Sequence, residues 1–235
     1  MRLNKFLASA GVASRRKCDQ LLQQGLISVN GQVVSELGTV INEKKDKVFY
    51  EGRQVLLPSS FVYIKLNKPK GYACTAKDEK GRKTIYDLLP REERLFSIGR
   101  LDYDTEGLII LTNDGDFANK VAHPRYSVDK EYHVTIEGQI KESELAVLRK
   151  GVVIEGQRMP SAKVEFLSND GKNTKLSVVI DEGMNRQIRR MFEAIGKNIK
   201  LLKRVRIGNV RLGGVKRGDF RDLTTQELDS LVRPQ

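Results

Sequence analysis

The sequence predicts an α+β fold in two parts: a small helix–helix–hairpin unit over residues 1–60, then a domain over residues 61–235 built on a largely antiparallel mixed sheet. Three observations carry this. Apolar residues in the first 25 positions recur at helical spacing, whereas from Phe61 onward short apolar runs follow strand-like alternation. A shift in composition separates the two parts, since the stretch from Asn42 to Ser60 holds charges, Gly52, Pro58 and two serines. The strands are also not followed regularly by helices, as a doubly wound parallel sheet would require.

The elements follow in order. Leu3, Phe6, Leu7 and Ala10 fall at i, i+3, i+4 and i+7, which predicts a short helix that Gly11 stops. Ser14 is placed to cap a second helix, with Cys18, Leu21 and Leu22 facing inward and Gly25 ending it. LISVNGQVV reads as two strand pieces around Asn30-Gly31, a strong hairpin signal. The stretch 42–60 finishes the unit and links it to the next. FVYIKL (61–66) and LIILT (108–112) are apolar enough for interior strands. KEYHVTIEG puts Tyr132, Val134 and Ile136 on one face and Glu131, His133 and Thr135 on the other. KVEFL and KLSVVID continue the alternation through Val164 and Phe166, then Leu176, Val178 and Ile180. RVRIGNVRL slips phase at Gly208, which predicts a bulge. Helices are expected at 141–150, 186–195 and 225–232, the last opened by Thr224 and Glu227 at capping-box spacing.

Composition narrows the function. The 235 residues include 42 Lys and Arg against 30 Asp and Glu, a net charge of +12, with 39% hydrophobic and 31% charged residues. That balance suits a globular protein. No apolar run approaches the ~18 residues of a membrane span. Asn4, Lys5 and Arg15 to Lys17 interrupt what a signal peptide would need, so a cytoplasmic protein is expected. Cys18 and Cys74 are too few for a disulfide scaffold or a four-thiolate zinc site. His123 and His133, with neither cysteine nearby, do not make one either, so no metal is expected. GxSxG, GxxxxGK[ST] and GxGxxG are all missing, which disfavours nucleotide hydrolysis, dinucleotide redox chemistry and a cofactor-dependent methyltransferase. No obvious coiled coil is present, and a monomer is expected.

The charge is uneven. Between Arg186 and Arg221 there are 12 Lys and Arg against Glu193 and Asp219, so this segment holds +10 of the total. Arg2, Lys5, Arg15, Arg16 and Lys17 form a second cluster at the amino end. Such stripes point to a polyanion, most simply nucleic acid, over a merely solvated basic face.

GRLDYDTEGLIILTNDGD (99–116) places Arg100 and three acids in a glycine-flanked loop ahead of an apolar strand. A catalytic carboxylate fits there. So do acids that merely hydrogen-bond their own backbone in turns, and the pattern alone leaves both open. Calcium is disfavoured, because the twelfth position of such a loop is Asn113 where a bidentate glutamate is needed.

GRLD followed by TEGL and a strand ending in TNDG resembles the signature of RsuA/RluB-type pseudouridine synthases. NKPKGY (67–72), KEY (130–132) and EGMNRQIRRMF (182–192) resemble three further segments of that family, in the same order. MRLNKFLASAGVASRRKCDQLLQQGLISVNG resembles the RNA-binding domain named after ribosomal protein S4. GVASRRK and EGMNRQIRRM look closer to the RluB branch, which acts on large-subunit (23S) ribosomal RNA, than to the small-subunit (16S) RsuA branch.

The resemblance implies an isomerase that breaks the N1–C1′ bond of a uridine, turns the base and joins C5 to C1′. It implies no redox change and no cofactor, and a partner that is ribosomal RNA or a ribosome assembly intermediate. Asp102 matches the catalytic carboxylate, which either attacks C1′ or takes a proton at C2′. Arg189 matches its guanidinium partner. Tyr132 matches the active-site tyrosine that stacks on uracil, though by its strand face alone it would be a core residue. Arg100 matches an arginine that fills the place of the flipped base. Lys68, Lys70, Arg186, Arg190 and the rest of the 186–221 run are expected on phosphates, as are the five amino-terminal cations. The competing reading is a binding protein with a synthase-like body that has lost activity. Asp102, Tyr132 and Arg189 are all in place, so nothing in the sequence favours it.

Overall fold

The computed structural model describes residues 1–76, 78–90, 93–122, 128–154 and 156–232. They fall into two compact units. The smaller contains Met1–Val62 with two short loop segments, and the larger contains the remainder from Tyr63 onward.

In the smaller unit, α1 (Leu3–Ser9) and α2 (Arg15–Gln23) form where the apolar spacing predicts them. Ser14 caps α2, its hydroxyl accepting from the Lys17 amide at 3.2 Å. β1 (Ile27–Val29) and β2 (Gln32–Val33) close on Asn30 and Gly31, both at positive φ, as a two-residue hairpin needs. The stretch read as a link adds a second hairpin, β3 (Val48–Tyr50) and β4 (Arg53–Gln54), turned by Glu51 and Gly52 in the same left-handed pair. The four strands lie in the order β2-β1-β3-β4. Leu3, Phe6, Leu7, Cys18, Leu21, Leu22, Ile27, Ile41 and Val48 make the core.

The larger unit runs β5 (Tyr63–Lys68), β6 (Phe96–Ile98), β7 (Glu106–Thr112), α3 (Gly115–Ala122), β8 (Lys130–Glu137), α4 (Glu142–Lys150), β9 (Val153–Ile154) and β10 (Gln157–Arg158). It continues through β11 (Lys163–Asn169), β12 (Asn173–Ile180), α5 (Gln187–Ala194), β13 (Ile199–Ile207), β14 (Val210–Arg211), β15 (Phe220–Asp222) and α6 (Thr225–Val232). The nine-stranded sheet has the order β11-β12-β8-β13-β7-β5-β15, with β14 beside β13 and β6 beside β7. Only β13 with β7 pairs in parallel among these, so the α+β expectation holds. β7 is buried along its whole length, and Leu108 and Ile110 join Phe117, Val121, Ile207 and Leu231 in a core beneath α3 and α6.

One sequence expectation is corrected. The phase slip at Gly208 is not a bulge but a reversal, because β14 folds back on β13 with Ile207 opposite Val210 and Arg206 opposite Arg211. Gly208 adopts φ +51, which a tight turn demands and glycine supplies. β13 does break register against β8, but at Ile199/Leu201 and Arg204/Arg206. No helix among the described residues is long and apolar enough to cross a membrane.

A buried ion pair ties α6 to the sheet. Lys65 on β5 donates to Glu227 Oε1 at 2.9 Å and to the Arg211 carbonyl at 2.6 Å. Glu227 also accepts from Arg221 and from the Thr224 amide, completing the capping box. Burial pushes the Glu227 carboxyl up, but the bonds from Arg221, Lys65 and the Thr224 amide outweigh it and hold the group at about 2. An unfolded glutamate titrates near ~4.3. The depressed folded value therefore adds stability that is present above pH ~4.3 and lost as pH falls toward 2. Glu227→Gln should cost roughly 3 kcal/mol at pH 7, since it also leaves Lys65 buried without its partner. Denaturant unfolding should show this gap closing as pH is lowered from about 4 toward 2. A pH-independent gap would contradict the assignment.

Candidate active site

The loop from Gly99 to Thr105 joins β6 to β7, and a buried lysine fixes its path. Lys68, the last residue of β5, is 0% exposed. Its ammonium donates to three carbonyls: Pro69 at 3.1 Å, Asp102 at 3.0 Å and Thr105 at 2.7 Å. Burial pulls this ammonium below the usual lysine range, while Cys74, Asp104, Asp102 and Glu106 act the other way. The expectation that Lys68 contacts phosphate is therefore wrong. The residue has no access to solvent, and its donors are taken by the loop. The Thr105 amide closes a turn on the Asp102 carbonyl at 3.1 Å, and the Gly71 amide holds the Tyr103 carbonyl at 2.9 Å. Leu101, buried, donates its amide to Cys74 Sγ at 3.4 Å.

With its backbone held, the Asp102 side chain remains 32% exposed and lines a cavity of about 490 Å³. Tyr132, Arg189, Arg186 and Arg100 line the same cavity, so four sequence-selected residues share it with Asp102. Tyr132 lies on β8, on the face it shares with Val134 and Ile136, and is 8% exposed. Arg100 is exposed. The volume is within the ~300–1,000 Å³ typical of small-molecule sites and suits one nucleotide.

The guanidinium partners differ from expectation. Arg189 pairs with Asp104 Oδ2 at 3.2 Å, not with Asp102, and donates to the Asp104 carbonyl at 3.1 Å and to Thr105 Oγ1 at 3.4 Å. It grips the loop just beyond Asp102. Burial pulls the Arg189 guanidinium down, and the charge of Asp104 opposes this. Arg186 sits between the two carboxylates, 3.6 Å from Asp104 Oδ1 and 4.0 Å from Asp102 Oδ2. Arg186 enters α5 at φ +49, a left-handed conformation uncommon for a side chain of this size. Ile188, Met191 and Phe192 bury one stripe of α5, and Gln187 is buried beside them.

Arg204, expected on phosphates with the rest of the basic run, is buried instead. It is 4% exposed, lies opposite Tyr132 in the β13–β8 register and lines the cavity. Its Nε donates to the Leu108 carbonyl at 2.7 Å and its Nη1 to the Tyr132 hydroxyl at 3.4 Å. The β13–β7 pairing covers only Glu106 and Gly107, and β6 takes up β7 from Ile110, so the Leu108 carbonyl falls between the two ladders. The guanidinium meets that buried acceptor. A legible signal existed in the sequence, because Arg204 is in phase with the buried Leu202. Arg206 is likewise occupied, by Glu131 at 2.7 Å and the Gly208 carbonyl at 2.6 Å. Lys70 donates to the Lys200 carbonyl at 3.1 Å and Arg190 is half-buried. In the smaller unit Arg2, Arg15, Arg16 and Lys17 are exposed and Lys5 is half-buried. Among the described residues no cluster of His, Cys, Asp and Glu could hold a metal ion. His123 lies outside the described residues.

Comparison with known proteins identifies the family. The family model for RNA pseudouridylate synthases matches residues 62–194, and the S4 domain model matches residues 1–47. The ribosomal large subunit pseudouridine synthase B of Bacillus subtilis is 43% identical over 233 residues, covering 98% of this chain and 95% of that protein. An uncharacterized RNA pseudouridine synthase of Aquifex aeolicus is 41% identical, covering 99% of this chain and 94% of its own length. A pseudouridylate synthase known from a crystal structure is 32% identical, with a TM-score of 0.71 over 99% of this chain and the whole of that one.

The site depends on a close approach of two strands at Gly107. A Cβ there would lie 2.2 Å from the Arg204 carbonyl oxygen and 2.7 Å from its nitrogen, and the residue adopts φ +106. The atoms it would meet are all backbone of Arg204, which leaves nothing flexible to give way. Gly107→Ala should therefore cost about 3 kcal/mol or more and lower the melting temperature by roughly 10 °C in a thermal scan. A melting temperature within about 2 °C of the wild type would show that β7 and β13 have clearance to spare.

Proposed function

Because this chain belongs to the RNA pseudouridylate synthase family and carries an S4 domain, we propose that it converts one specific uridine of large-subunit ribosomal RNA to pseudouridine, with Asp102 as the carboxylate that acts on the ribose. The observation that carries this reading is the placement of Asp102. Its backbone is clamped by Lys68, while its side chain opens into a cavity walled by Tyr132 and Arg189. The choice of large-subunit RNA is supported by the Bacillus subtilis relative, which spans nearly the whole chain and is named for that subunit.

The target base first leaves its stack, and the Tyr132 ring offers a platform that offsets part of the loss. Arg100, exposed at the cavity, takes the space the base vacates. Asp102 then attacks C1′ or removes the C2′ proton. By either route the N1–C1′ bond breaks and its electron pair leaves with the uracil. The base turns, C5 bonds to C1′, and the C5 proton is lost to a base for which the Tyr132 hydroxyl is the candidate. Arg189 acts as a positioning residue, holding Asp104 and Thr105 so that the loop keeps its shape.

Residues 1–60 dock the RNA and residues 61–235 carry the chemistry. Three exposed cations, Arg15, Arg16 and Lys17, occupy the first turn of α2. The helix dipole disfavours positive charge there by ~0.3–1 kcal/mol each, so a polyanion gives these residues a purpose that stability does not. Arg2, Lys5, Lys70, Arg186 and Arg190 supply further phosphate contacts.

Ribosomal RNA labelled with tritium at uridine C5 tests the reading, because forming the C5–C1′ bond expels that hydrogen. Wild-type protein should release about one equivalent per RNA, given one target site. Asp102→Asn should release none while binding RNA nearly as well, since this loop carries little of the phosphate affinity. Release by the variant would remove Asp102 from the chemistry. Replacing Arg15, Arg16 and Lys17 together by alanine should reduce the steepness of the salt dependence of RNA binding by about 2. An unchanged slope would place that turn away from the RNA.

A further inference from the structure

Residues lining the cavity carry buried hydrogen-bond donors with nothing to receive them. Among the described residues, the buried side-chain donors that lack a partner are Gln187 Nε2, Arg189 Nε and Arg204 Nη2, and all three residues line this one cavity. The buried acceptors left without a hydrogen bond, on Asn4, Asn67, Asp104 and Asn173, belong to residues that do not line it. An unmet buried donor costs ~1–3 kcal/mol, and more when charged, so three of them on residues around one space favour an acceptor-rich ligand there.

Arg204 is the charged donor held most firmly. Leu108 and Tyr132 take its Nε and Nη1, which fixes the guanidinium plane and leaves Nη2 free. The guanidinium carbon lies 6.0 Å from the centre of the Tyr132 ring, the surface on which the uracil is placed above. At 4% exposure it is too deep for the RNA backbone. A base inserted into the cavity brings two carbonyl oxygens, and these are acceptors whose charge grows during the reaction.

We propose that Arg204 is a further catalytic residue, whose Nη2 donates to a carbonyl oxygen of the target uracil and stabilises the anion formed when N1 leaves C1′. The inference rests on the synthase reading above and adds a role to it. As the N1–C1′ bond breaks, its electron pair passes to N1 and spreads onto the carbonyl oxygens. No other reactant is needed. When C5 attacks C1′, the same pair forms the new bond, the negative charge is discharged, and the C5 proton departs. A donor already fixed in place does not have to reorganise as the charge appears, which is why such donors lower barriers.

The test compares leaving groups. Wild type, Arg204→Gln and Arg204→Lys are given RNA transcribed with uridine or with 5-fluorouridine, and single-turnover loss of the parent nucleoside is followed by chromatography after digestion. Fluorine withdraws electrons, so the fluorinated base leaves as a more stable anion and needs less help. Arg204→Gln should slow the uridine reaction about 10²–10³-fold at nearly unchanged RNA affinity. Its deficit with 5-fluorouridine should be smaller by about tenfold or more, each tenfold corresponding to 1.36 kcal/mol of barrier. Arg204→Lys, which keeps a cation, should show the same preference at a milder loss and carries the comparison if the glutamine variant does not fold. Equal deficits with both bases would reduce Arg204 to a tie between strands and overturn the proposal, as would wild-type rates in either variant. Wild-type protein that converts neither RNA would overturn the synthase reading itself, a result seen without any variant.

Discussion

A single buried ammonium organises the loop that carries Asp102. Lys68 stands at the end of β5 with no solvent contact, and its three N–H donors meet the carbonyls of Pro69, Asp102 and Thr105. Removing a cation from water is costly unless every donor is met. Three oxygens in reach of one nitrogen satisfy a lysine, whereas the flat fork of an arginine would need a different cradle. The consequence for the site is directional. Because the Asp102 carbonyl is turned inward onto Lys68, the loop is pinned at the residue whose carboxylate lines the cavity.

The remaining parts close around that loop. Arg189 on α5 grips it at Asp104 and Thr105, and Gly71 holds it at Tyr103. Immediately beyond it, Gly107 lets β13 come within a distance that no other residue permits, and this contact carries Arg204 beside Tyr132. The sheet's parallel pairing is therefore only two residues long, yet it sets the spacing between the carboxylate loop and the cavity wall. The buried donors that this packing leaves without a hydrogen bond all belong to residues that line the cavity, so stability has been given up around that space.

Most of the architecture was legible in the sequence because the elements are periodic. α1, α2 with its Ser14 cap, the Asn30-Gly31 turn and the alternating strands β8, β11 and β12 follow directly from apolar spacing and turn chemistry. The second hairpin, β9 with β10, and β15 were not, because two- and three-residue strands are too short to show a period. Within the site, the pattern offers three acids in a glycine-flanked loop and leaves their role open; Asp102, Tyr132 and Arg189 are singled out by the resemblance. What stayed hidden was set by tertiary packing. Lys68 reads as a surface cation at a strand end, and only the loop crossing above it makes it a buried anchor. Arg189 reaches Asp104 instead of Asp102 in a helix that Arg186 opens in a left-handed conformation, at a position where no glycine announces it. Arg204 was concealed by the basic run around it, although its phase with Leu202 placed it on the buried face.

The central claim is that Lys68 serves the reaction by holding Asp102 in place and not by binding RNA. Lys68→Met keeps much of the apolar length and removes the three donors. Its single-turnover rate and RNA affinity, measured across a salt series, test the claim most directly. We expect the rate to fall by about 100-fold or more, as for other losses of fixed geometry at a reacting centre, with RNA affinity and its salt slope nearly unchanged. A wild-type rate, with affinity weakened and the slope reduced by about 1, would return Lys68 to the phosphates and contradict the account.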